Sequence, residues 1–341
     1  MPLFTILNNC IASSIRYINR ITLAGLMESK LMQPDLISEE QKLINLILEL
    51  KKQRNAVILV HNYQRPEMFK IADYMGDSLG LSVAAAKTEA DVILFCGVKF
   101  MAETAKVLSP HKTVLLPNLD AGCSLADMAT VEKLQAVKKQ YPDAAVVSYV
   151  NTTAEVKAIS DICCTSANAV EVVNSLPNKR IIFLPDKNLG RYVQEHTDKE
   201  IILWDGYCFV HDKLDANTLM EFKQRYPDAK VIAHPECKDE LLKLSDHICG
   251  TGGMAKFAKS DGSKDFIVVT ECGMTDKLRQ DVPEKNFLSF CNVCPYMKST
   301  TLQLVARALI TNQNEITLPD NIIRDARKAI DRMLAVSKNA A

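Results

Sequence analysis

The sequence predicts an α/β fold made of three homologous three-layer α/β/α domains with parallel sheets, in a pseudo-threefold arrangement around a central site. Two observations support this prediction. Cys123, Cys208 and Cys294 are separated by 85 and 86 residues, so one cysteine recurs at the same place in three blocks of near-equal length. Within each block, apolar segments alternate with helical segments, which is typical of a parallel α/β unit. Three such units around one axis would bring the three thiols to a common centre.

Each block opens with an apolar segment that is typical of a buried parallel strand. These segments are AVILVHNY, AAVVSYVN and AKVIAHPE, which begin at residues 56, 144 and 229. A helix start that carries a hydroxyl follows 17 residues after the end of each strand, at Ser78, Ser166 and Thr251. The register between strand and helix is therefore the same in all three blocks.

A second and a third strand complete each predicted domain. The second strands are DVILFCG, RIIFLPD and FIVVTEC, and the third strands, which lead to the three cysteines, are TVLLPNL, EIILWDG and NFLSFC. The helical segments VEKLQAVKKQYPDA and DANTLMEFKQRYPDA link the copies, and their shared ending supports duplication. The predicted domains are residues 35–127, 128–212 and 213–297.

Further helices are predicted at both ends of the repeated region. The leading helix is indicated by a capping box, Ser38 with Gln41, and by apolar residues at helical spacing, Leu43, Ile44, Ile47 and Leu48. In the C-terminal segment, residues 298–341, Ser299 and Thr300 are candidate caps for a helix whose apolar face comprises Leu302, Val305, Ala306 and Leu309. A last amphipathic helix is predicted from about Asp320.

Composition and charge exclude several classes of protein. The 41 basic and 41 acidic residues give a formal net charge of zero, whereas a protein that binds nucleic acid or a membrane surface would carry a basic excess. No segment approaches the ~20 apolar residues of a transmembrane helix. The eleven cysteines are odd in number, which favours a reducing compartment, the cytoplasm, over a disulfide-stapled scaffold.

Residues 1–34 are predicted to be an N-terminal extension, and its nature is open. Arg16 and Arg20, with several hydroxyl residues and no acid before Glu28, have the composition of an organelle transit peptide. Met27, however, opens a shorter chain. The segment is then either a dispensable extension or the product of a misassigned start.

Polar side chains recur in pairs at the ends of the three opening strands. The pairs are His61 with Tyr63, Tyr149 with Asn151, and His234 with Glu236. Alternate residues of a strand point the same way, and ligands of parallel α/β sheets bind beyond the carboxyl ends of the strands. A single pair would be an ordinary strand end, but threefold recurrence at a fixed register predicts a pocket.

The hydroxyls of Ser78, Ser166 and Thr251 have two interpretations. At the first turn of a helix, free backbone amides and the positive end of the dipole bind phosphate or carboxylate. The same residues would also serve as plain N-caps. Both interpretations stay open from the sequence.

The cysteines of the repeat predict a metal centre. A structural zinc site uses four ligands, usually as two close pairs, and the only close pair near the repeats is Cys291 with Cys294. A four-iron cluster held by three thiolates would leave one iron open. Cys291 is either a spectator or a redox partner of Cys294, and the cysteines outside the register are predicted to be core thiols: Cys96, Cys163, Cys164, Cys237, Cys249 and Cys272.

Other titratable residues give weaker signals. His211 lies three residues beyond Cys208 and is predicted to face the same cavity, where it could donate to a ligand oxygen. The histidines without a pattern are predicted to be surface residues: His111, His196 and His247. Candidates for the pocket rim follow the second strands, namely Lys99, Glu103, Lys187 and Glu271.

The motifs, taken together, resemble those of the quinolinate synthase A family. They are HNYQRPE, GDSLGLS, DAGCSLAD, SYVNT, TSANA, LPDKNLG, GYCFVH, HPEC, TECGM and CPYMK, over about residues 35–312. The resemblance implies the pseudo-threefold fold, one 4Fe-4S cluster per chain and condensation of iminoaspartate with dihydroxyacetone phosphate to quinolinate, with loss of phosphate and water, in NAD biosynthesis. It also implies transient contact with L-aspartate oxidase, which makes the unstable imine.

Site residues are carried over to matching positions. The cluster ligands would be Cys123, Cys208 and Cys294, with one open iron acting as a Lewis acid. The substrate pocket would be lined by His61, Tyr63, Ser78, Tyr149, Asn151, Ser166, His211, His234, Glu236 and Thr251. Tyr63, Glu236 and the histidines would move protons, whereas Ser166 and Thr251 would hold carboxylate or phosphate.

The chain departs from the family pattern at two places. Gly250 stands before Thr251 where many relatives carry a serine, so one hydroxyl contact is missing or replaced by backbone. The first 34 residues have no counterpart in the family core. Two other functions stay open, an iron-sulfur hydro-lyase acting on a hydroxy acid and a non-enzymatic iron-sulfur redox or iron sensor.

Overall fold

The computed structural model describes residues 38–339 of the chain. The chain divides into two compact units, Met1–Lys42 and Leu43–Ala341, and every strand among residues 38–339 lies in the second unit. The predicted N-terminal extension, residues 1–34, lies outside the described residues, and so do the alternative interpretations attached to it.

Three four-stranded parallel sheets form the second unit. The first sheet comprises β1 (Ala56–His61), β2 (Tyr74–Gly76), β3 (Val92–Cys96) and β4 (Thr113–Leu115), in the order β2-β1-β3-β4. The second comprises β5 (Ala145–Tyr149), β6 (Ile162–Cys164), β7 (Arg180–Leu184) and β8 (Glu200–Leu203), in the order β6-β5-β7-β8. The third comprises β9 (Lys230–Ala233), β10 (His247–Ile248), β11 (Asp265–Glu271) and β12 (Asn286–Asn292), in the order β10-β9-β11-β12. The predicted fold class is confirmed, whereas the domain boundaries stay a prediction.

Helices alternate with the strands along the chain. The helices up to the end of the first repeat are α1 (Glu39–Gln53), α2 (Pro66–Phe69), α3 (Ser78–Lys87), α4 (Lys99–Leu108) and α5 (Ser124–Asp127). The second repeat contains α6 (Val131–Gln140), α7 (Ala154–Ala158), α8 (Ala169–Ser175), α9 (Lys187–Gln194) and α10 (Phe209–Asp212). The third contains α11 (Ala216–Arg225), α12 (Asp239–Leu242), α13 (Thr251–Ser260), α14 (Gly273–Asp281) and α15 (Pro295–Lys298). The chain continues with α16 (Leu302–Thr311) and α17 (Asp320–Asn339).

Several predicted helices are confirmed. Helix α1 begins after Ser38, whose Oγ accepts a hydrogen bond from Gln41 N at 3.1 Å, and the linking segments form α6 and α11. Helix α17 begins at Asp320 as predicted. Within residues 38–339, every helix is either too short or too polar to cross a bilayer.

The sequence analysis missed one strand in each sheet. The strands β2, β6 and β10 are only two or three residues long, and each pairs in parallel with the opening strand of its repeat, on the side away from the second strand. Segments this short carry no measurable periodicity.

An aspartate at the start of each of these edge segments fixes it to the opening strand. Asp73, Asp161 and Asp246 each accept a hydrogen bond from a backbone N–H 15 residues earlier, with O···N distances of 2.8, 2.7 and 2.9 Å. The N–H of each aspartate in turn donates to the carbonyl of that same earlier residue, at 2.9, 3.0 and 2.9 Å. The same two-bond clamp in all three repeats is independent evidence of duplication.

A lysine before each third strand hydrogen-bonds to carbonyls at the C-terminal end of the helix that precedes the second strand. Lys112 Nζ donates to the carbonyls of Thr88 and Ala90 at 2.6 Å, and Lys199 and Lys285 contact the corresponding carbonyls after α8 and α13. Because the last carbonyls of a helix lack partners within it, a cationic donor there stabilises the helix end.

The C-terminal helices complete the core. The opening strands are fully buried, with Ile58, Val147 and Ile232 at 0% exposure, and α17 packs against α4 and α7. Helix α16 buries its predicted apolar face, comprising Leu302, Val305, Ala306 and Leu309. Its predicted caps are wrong, however. Thr301 Oγ1 accepts from Leu304 N at 3.4 Å, whereas Ser299 ends α15 and Thr300 is buried.

Candidate active site

One cavity brings together every residue that the sequence analysis assigned to the site. The cavity has a volume of about 70 Å³, several times the roughly 10–15 Å³ that one water requires. Its lining includes His61, Tyr63, Ser78, Cys123, Tyr149, Asn151, Ser166, Cys208, His211, His234, Glu236, Thr251 and Cys294. All three repeats therefore contribute to one site, as the pseudo-threefold arrangement requires.

The turns after β1 and β9 orient two histidines in the same way. Tyr63 N donates to His61 Nδ1 at 3.1 Å, and Glu236 N donates to His234 Nδ1 at 3.3 Å. Since Nδ1 accepts in both rings, Nε2 carries the proton of the neutral imidazole. Burial lowers the pKa of both histidines to about 3, with the charge of Lys298 adding to the shift at His61. Both rings are therefore neutral donors near pH 7.

Thr270, which the sequence analysis missed, joins two predicted site residues. Its side chain is fully buried, and its Oγ1 lies 2.7 Å from the Tyr63 hydroxyl and 2.8 Å from His211 Nε2. A threonine at the end of an apolar strand gives no signal of its own in a sequence. Thr270 belongs to the third repeat, and its hydroxyl links Tyr63 of the first repeat to His211 of the second.

Glu236 is the buried carboxylate at the centre of this network. Its Oε2 lies 2.7 Å from His211 Nδ1, a charge contact without the alignment of a hydrogen bond, and Tyr149 hydrogen-bonds to the same carboxylate. Burial alone would raise the pKa of Glu236, but the neighbouring imidazoles of His211 and His234 and the hydrogen bond from Tyr149 outweigh it and lower the pKa to about 2. Burial and the charge of Glu236 raise the pKa of Tyr63 and Tyr149, so both keep their protons near neutral pH.

The three predicted helix-start hydroxyls differ in their roles. Ser78 is the first residue of α3, whose cap is Asp77, the acceptor for Gly80 N at 2.8 Å. Thr251 is the first residue of α13, which has no side-chain cap, and its Oγ1 accepts from Asn62 Nδ2 at 3.0 Å. Ser166 is not in a helix, contrary to the prediction, because a turn precedes α8 and Asn168 is its cap. Of these helix starts, that of α13 has no capping side chain, although Asp77 Oδ2 lies beside it, 2.6 Å from where a Cβ at Gly252 would be.

Gly250 leaves room for the Ser166 hydroxyl. A Cβ at Gly250 would lie 2.9 Å from Ser166 Oγ, which is 3.1 Å from His234 Nε2. At the position where the chain departs from the family pattern, a hydroxyl from the neighbouring repeat therefore occupies the space. Asn151, on the same cavity, has a buried Oδ1 with no hydrogen-bond partner among the described residues, so a polar ligand would satisfy it.

The three repeated cysteines share one local structure. Cys123, Cys208 and Cys294 each stand at the N-cap of a four-residue helix. None of the three sulfurs forms a cap hydrogen bond, but the nearby backbone amides of the first turn act to lower each thiol's pKa, which favours the thiolate. Burial nevertheless raises the pKa of all three thiols, to about 12 at Cys123. Only a bound metal would hold three such groups as thiolates.

The spacing of these groups suits a cluster better than a single ion. Among residues 38–339, one set of three ligand atoms lies close enough for one ion, those of Cys208, His211 and Glu236, within 4.8 Å of one another. The three cysteines are not such a set. They line the wall of the cavity, which is the arrangement expected around a polynuclear centre with thiolate ligands.

The remaining cysteine predictions are partly corrected. Cys272 and Cys291 form a disulfide bond with Cα atoms 5.0 Å apart, so Cys272 is not a core thiol and Cys291 is not paired with Cys294. The reason is that β11 and β12 run side by side with Thr270 opposite Cys291. Cys249 is only half-buried, whereas the core prediction is confirmed for Cys96, Cys163, Cys164 and Cys237.

The predictions for the other titratable residues have mixed outcomes. Glu271 lines the cavity, but the other rim candidates do not: Glu103 is buried and accepts from Ala154 N at 3.0 Å, Lys99 faces Glu103, and Lys187 pairs with Asp205. His111 and His196 are exposed as predicted. His247 is not a free surface residue, because it lies in β10 and stacks on Phe257 at 4.0 Å.

Comparisons with known proteins identify the family of the chain. The family model described as NadA, quinolinate synthetase A protein, matches residues 45–335. Quinolinate synthase of Geobacter metallireducens is 51% identical over 310 residues, which cover 90% of this chain and 100% of that protein. The quinolinate synthase of Methanosarcina barkeri is 51% identical over 300 residues, which cover 87% of this chain and 99% of that protein. The quinolinate synthase of Synechocystis is 49% identical over 303 residues, which cover 86% of this chain and 95% of that protein. The chain therefore belongs to the quinolinate synthetase A family of enzymes.

Proposed function

We propose that this enzyme condenses iminoaspartate with dihydroxyacetone phosphate to quinolinate, with loss of phosphate and water, in NAD biosynthesis. The observation that carries the proposal is the single cavity that unites three thiols with neutral histidines, a buried carboxylate and two tyrosines from all three repeats. The substrates themselves are carried over from the family to which the chain belongs.

We further propose that the cavity holds one 4Fe-4S cluster. The residues fit, because three half-buried free thiols with raised pKa values, each at the start of a short helix, line the cavity. Cys123, Cys208 and Cys294 would bind three irons. When bound, the cluster would supply one open iron as a Lewis acid for the loss of water.

The protein's own groups would bind and orient the substrates. Both substrates carry anionic groups, and the start of α13 has backbone amides with no capping side chain, a geometry that binds anions. Thr251 and Ser166 would add hydroxyl contacts, and the unpartnered Asn151 Oδ1 would accept a hydrogen bond from substrate. Asp77 caps α3 through Oδ1, and its Oδ2 lies beside Gly252 in the first turn of α13. We therefore assign the phosphate or carboxylate to the hydroxyls of Ser166 and Thr251 rather than to Ser78.

Proton movement would use the buried network. The Tyr63 hydroxyl, Thr270 Oγ1 and His211 Nε2 are linked by steps of 2.7 and 2.8 Å, and His211 Nδ1 lies 2.7 Å from Glu236 Oε2 without hydrogen-bond alignment. With the proton of His211 on Nδ1, Nε2 would accept from Thr270, whose Oγ1 would accept from Tyr63, so the chain would hold the Nδ1 proton of His211 near Glu236. His61 and His234 would donate through Nε2 to substrate oxygens.

We also propose a cytoplasmic location, because the three cysteines of the site are free thiols, which a reducing compartment favours, although Cys272 and Cys291 are bonded to each other. Iminoaspartate hydrolyses in water, so transient contact with L-aspartate oxidase would shorten its exposure. This contact rests on the chemistry of the substrate alone.

The experiment that tests the proposed function is an anaerobic assay of quinolinate and phosphate release from both substrates. Formation of the two products in equal amounts would support the proposal. If the enzyme instead removes water from a hydroxy acid and forms no quinolinate when dihydroxyacetone phosphate is supplied, it is a hydro-lyase and the proposal fails.

A further inference from the structure

Two buried carboxylates lie directly behind two of the three repeated cysteines. Asp186 and Glu271 are 0% and 1% exposed, and neither belongs to the proton path described above. Asp186 Oδ2 accepts from Cys208 N at 2.9 Å. Glu271 Oε1 accepts from Cys294 N at 3.0 Å.

The second oxygen of each carboxylate holds the helix that follows it. Asp186 Oδ1 accepts from Leu189 N at 2.8 Å, in the first turn of α9. Glu271 Oε2 accepts from Gly273 N at 2.7 Å, at the start of α14. Each carboxylate is thus a bridge with both oxygens in use, one on a helix and one on the amide of a cysteine, and Glu271 Oε2 also accepts from Lys298 Nζ at 3.2 Å.

The two carboxylates occupy the same position in their repeats, and the first repeat differs there. The residue that follows each carboxylate donates its N–H to the carbonyl of the residue two positions before the cysteine. These bonds run from Lys187 N to Gly206 O at 2.8 Å and from Cys272 N to Asn292 O at 3.1 Å. In the first repeat the corresponding bond runs from Lys99 N to Ala121 O at 2.8 Å. The position of the acid there is occupied by Val98, whose side chain cannot accept a hydrogen bond.

We propose that Asp186 and Glu271 are positioning residues that fix the backbone at Cys208 and Cys294 before metal binds, and that Cys123 is held by no such bridge. Two ligands are then preformed and the third closes on the metal. Groups behind metal ligands typically change metal affinity by on the order of 10- to 100-fold when they are removed. The inference rests on the proposed function in so far as the three cysteines bind the cluster.

Asp186→Asn and Glu271→Gln are the sharpest variants. A carboxamide has nearly the same volume but only one oxygen, so it can accept from only one of the two backbone N–H groups. Asp215→Asn is the matched control, because Asp215 is an exposed cap of α11 that accepts from Thr218 N at 2.8 Å and lies outside the cavity lining.

The first readout is amide hydrogen exchange in the reduced, metal-free chain. We expect the amide of Cys208 to exchange about 10-fold faster in Asp186→Asn and that of Cys294 about 10-fold faster in Glu271→Gln, because a hydrogen bond worth about 1.4 kcal/mol corresponds to a tenfold change in an equilibrium constant. The segment around Cys123 should be unchanged. Wild-type exchange at both amides, or faster exchange throughout the chain, would overturn the proposal.

The second readout is iron release to a chelator from the anaerobically reconstituted protein. We expect release on the order of 10-fold faster from both variants than from wild type and Asp215→Asn. Equal release from all four proteins would overturn the proposal. A wild-type chain that binds no iron would instead refute the cluster, whereas the exchange experiment would still decide whether the two carboxylates hold the cysteine amides.

Discussion

His211 Nδ1 lies 2.7 Å from Glu236 Oε2, and the two side chains are only 2% and 3% exposed. The histidine precedes β9 and the glutamate follows it, so the contact connects the second and third repeats. A buried carboxylate that lacked a partner would be strongly destabilising. The pairing therefore keeps Glu236 ionised inside a cavity that otherwise favours neutral groups.

Replacing Glu236 with glutamine would remove this charge at nearly constant volume. We expect kcat for quinolinate formation to fall by roughly 10²–10⁴-fold, because positioned acid–base groups contribute about that much. The cluster absorbance should not change, since Glu236 is not a proposed ligand. A Glu236→Gln enzyme with kcat within about twofold of wild type would remove the carboxylate from the proton path.

Thr270→Val would remove the hydroxyl that joins Tyr63 to His211 while keeping the shape of the side chain. Two buried polar groups would then lose a partner, at about 1–3 kcal/mol each, so we expect kcat to fall about tenfold or more. Thr275→Val is the matched control, because the buried Thr275 Oγ1 has no hydrogen-bond partner among the described residues. Equal kcat values for the two variants would contradict the proposed path.

Gly250→Ala would test the space that Ser166 occupies. The added Cβ would lie 2.9 Å from Ser166 Oγ and would push the hydroxyl away from His234. We expect KM to rise about fivefold, equivalent to one hydrogen bond of about 1 kcal/mol. Gly262→Ala is the control, because nothing lies within 4 Å of a Cβ there. A similar KM for both variants would show that Ser166 does not contact substrate.

Asp246 should make the stability of the metal-free chain depend on pH. Burial opposes ionisation, but the hydrogen bond from Val231 N and the contact with Lys230 outweigh it and lower the pKa of Asp246. A lowered folded-state pKa contributes stability above the unfolded value of about 3.9, and this contribution is lost as pH falls through the folded value. We expect Asp246→Asn to be less stable than wild type by about 1 kcal/mol at pH 7, and the difference to be smaller near pH 3.

Unfolding in urea at the two pH values provides the measurement, on reduced and metal-free protein. If the unfolding free energies of Asp246→Asn and wild type differ by the same amount at both pH values, the charge of Asp246 contributes nothing to stability.

The parts of the fold that have a periodic pattern of apolar residues, or that recur in all three repeats, could be predicted from the sequence. The opening strands and the cysteine register were visible because apolar runs and reactive residues recur at fixed offsets. The short strand β2 was not, and neither was the clamp by Asp73, since two or three residues carry no periodicity and any aspartate is compatible with a turn.

The site was predictable to the extent that its residues recur. His61 and Glu236 were found because each belongs to a polar pair that recurs at the end of the opening strand in all three repeats. Thr270, Asp186 and the Cys272–Cys291 pair were missed or misassigned, because their roles depend on which repeats face one another and on the pairing of β11 with β12. Those contacts arise only when the three repeats pack.

The most direct test of the three-cysteine site is the iron and sulfide content of anaerobically purified protein, with its visible absorption spectrum. Wild type should contain about four irons and four sulfides per chain, and Cys208→Ala should contain almost none. Cys291→Ser is the control and should keep the full cluster, because Cys291 pairs with Cys272 and lies outside the cavity lining. Iron that survives the loss of Cys208, or zinc in its place, would contradict the account.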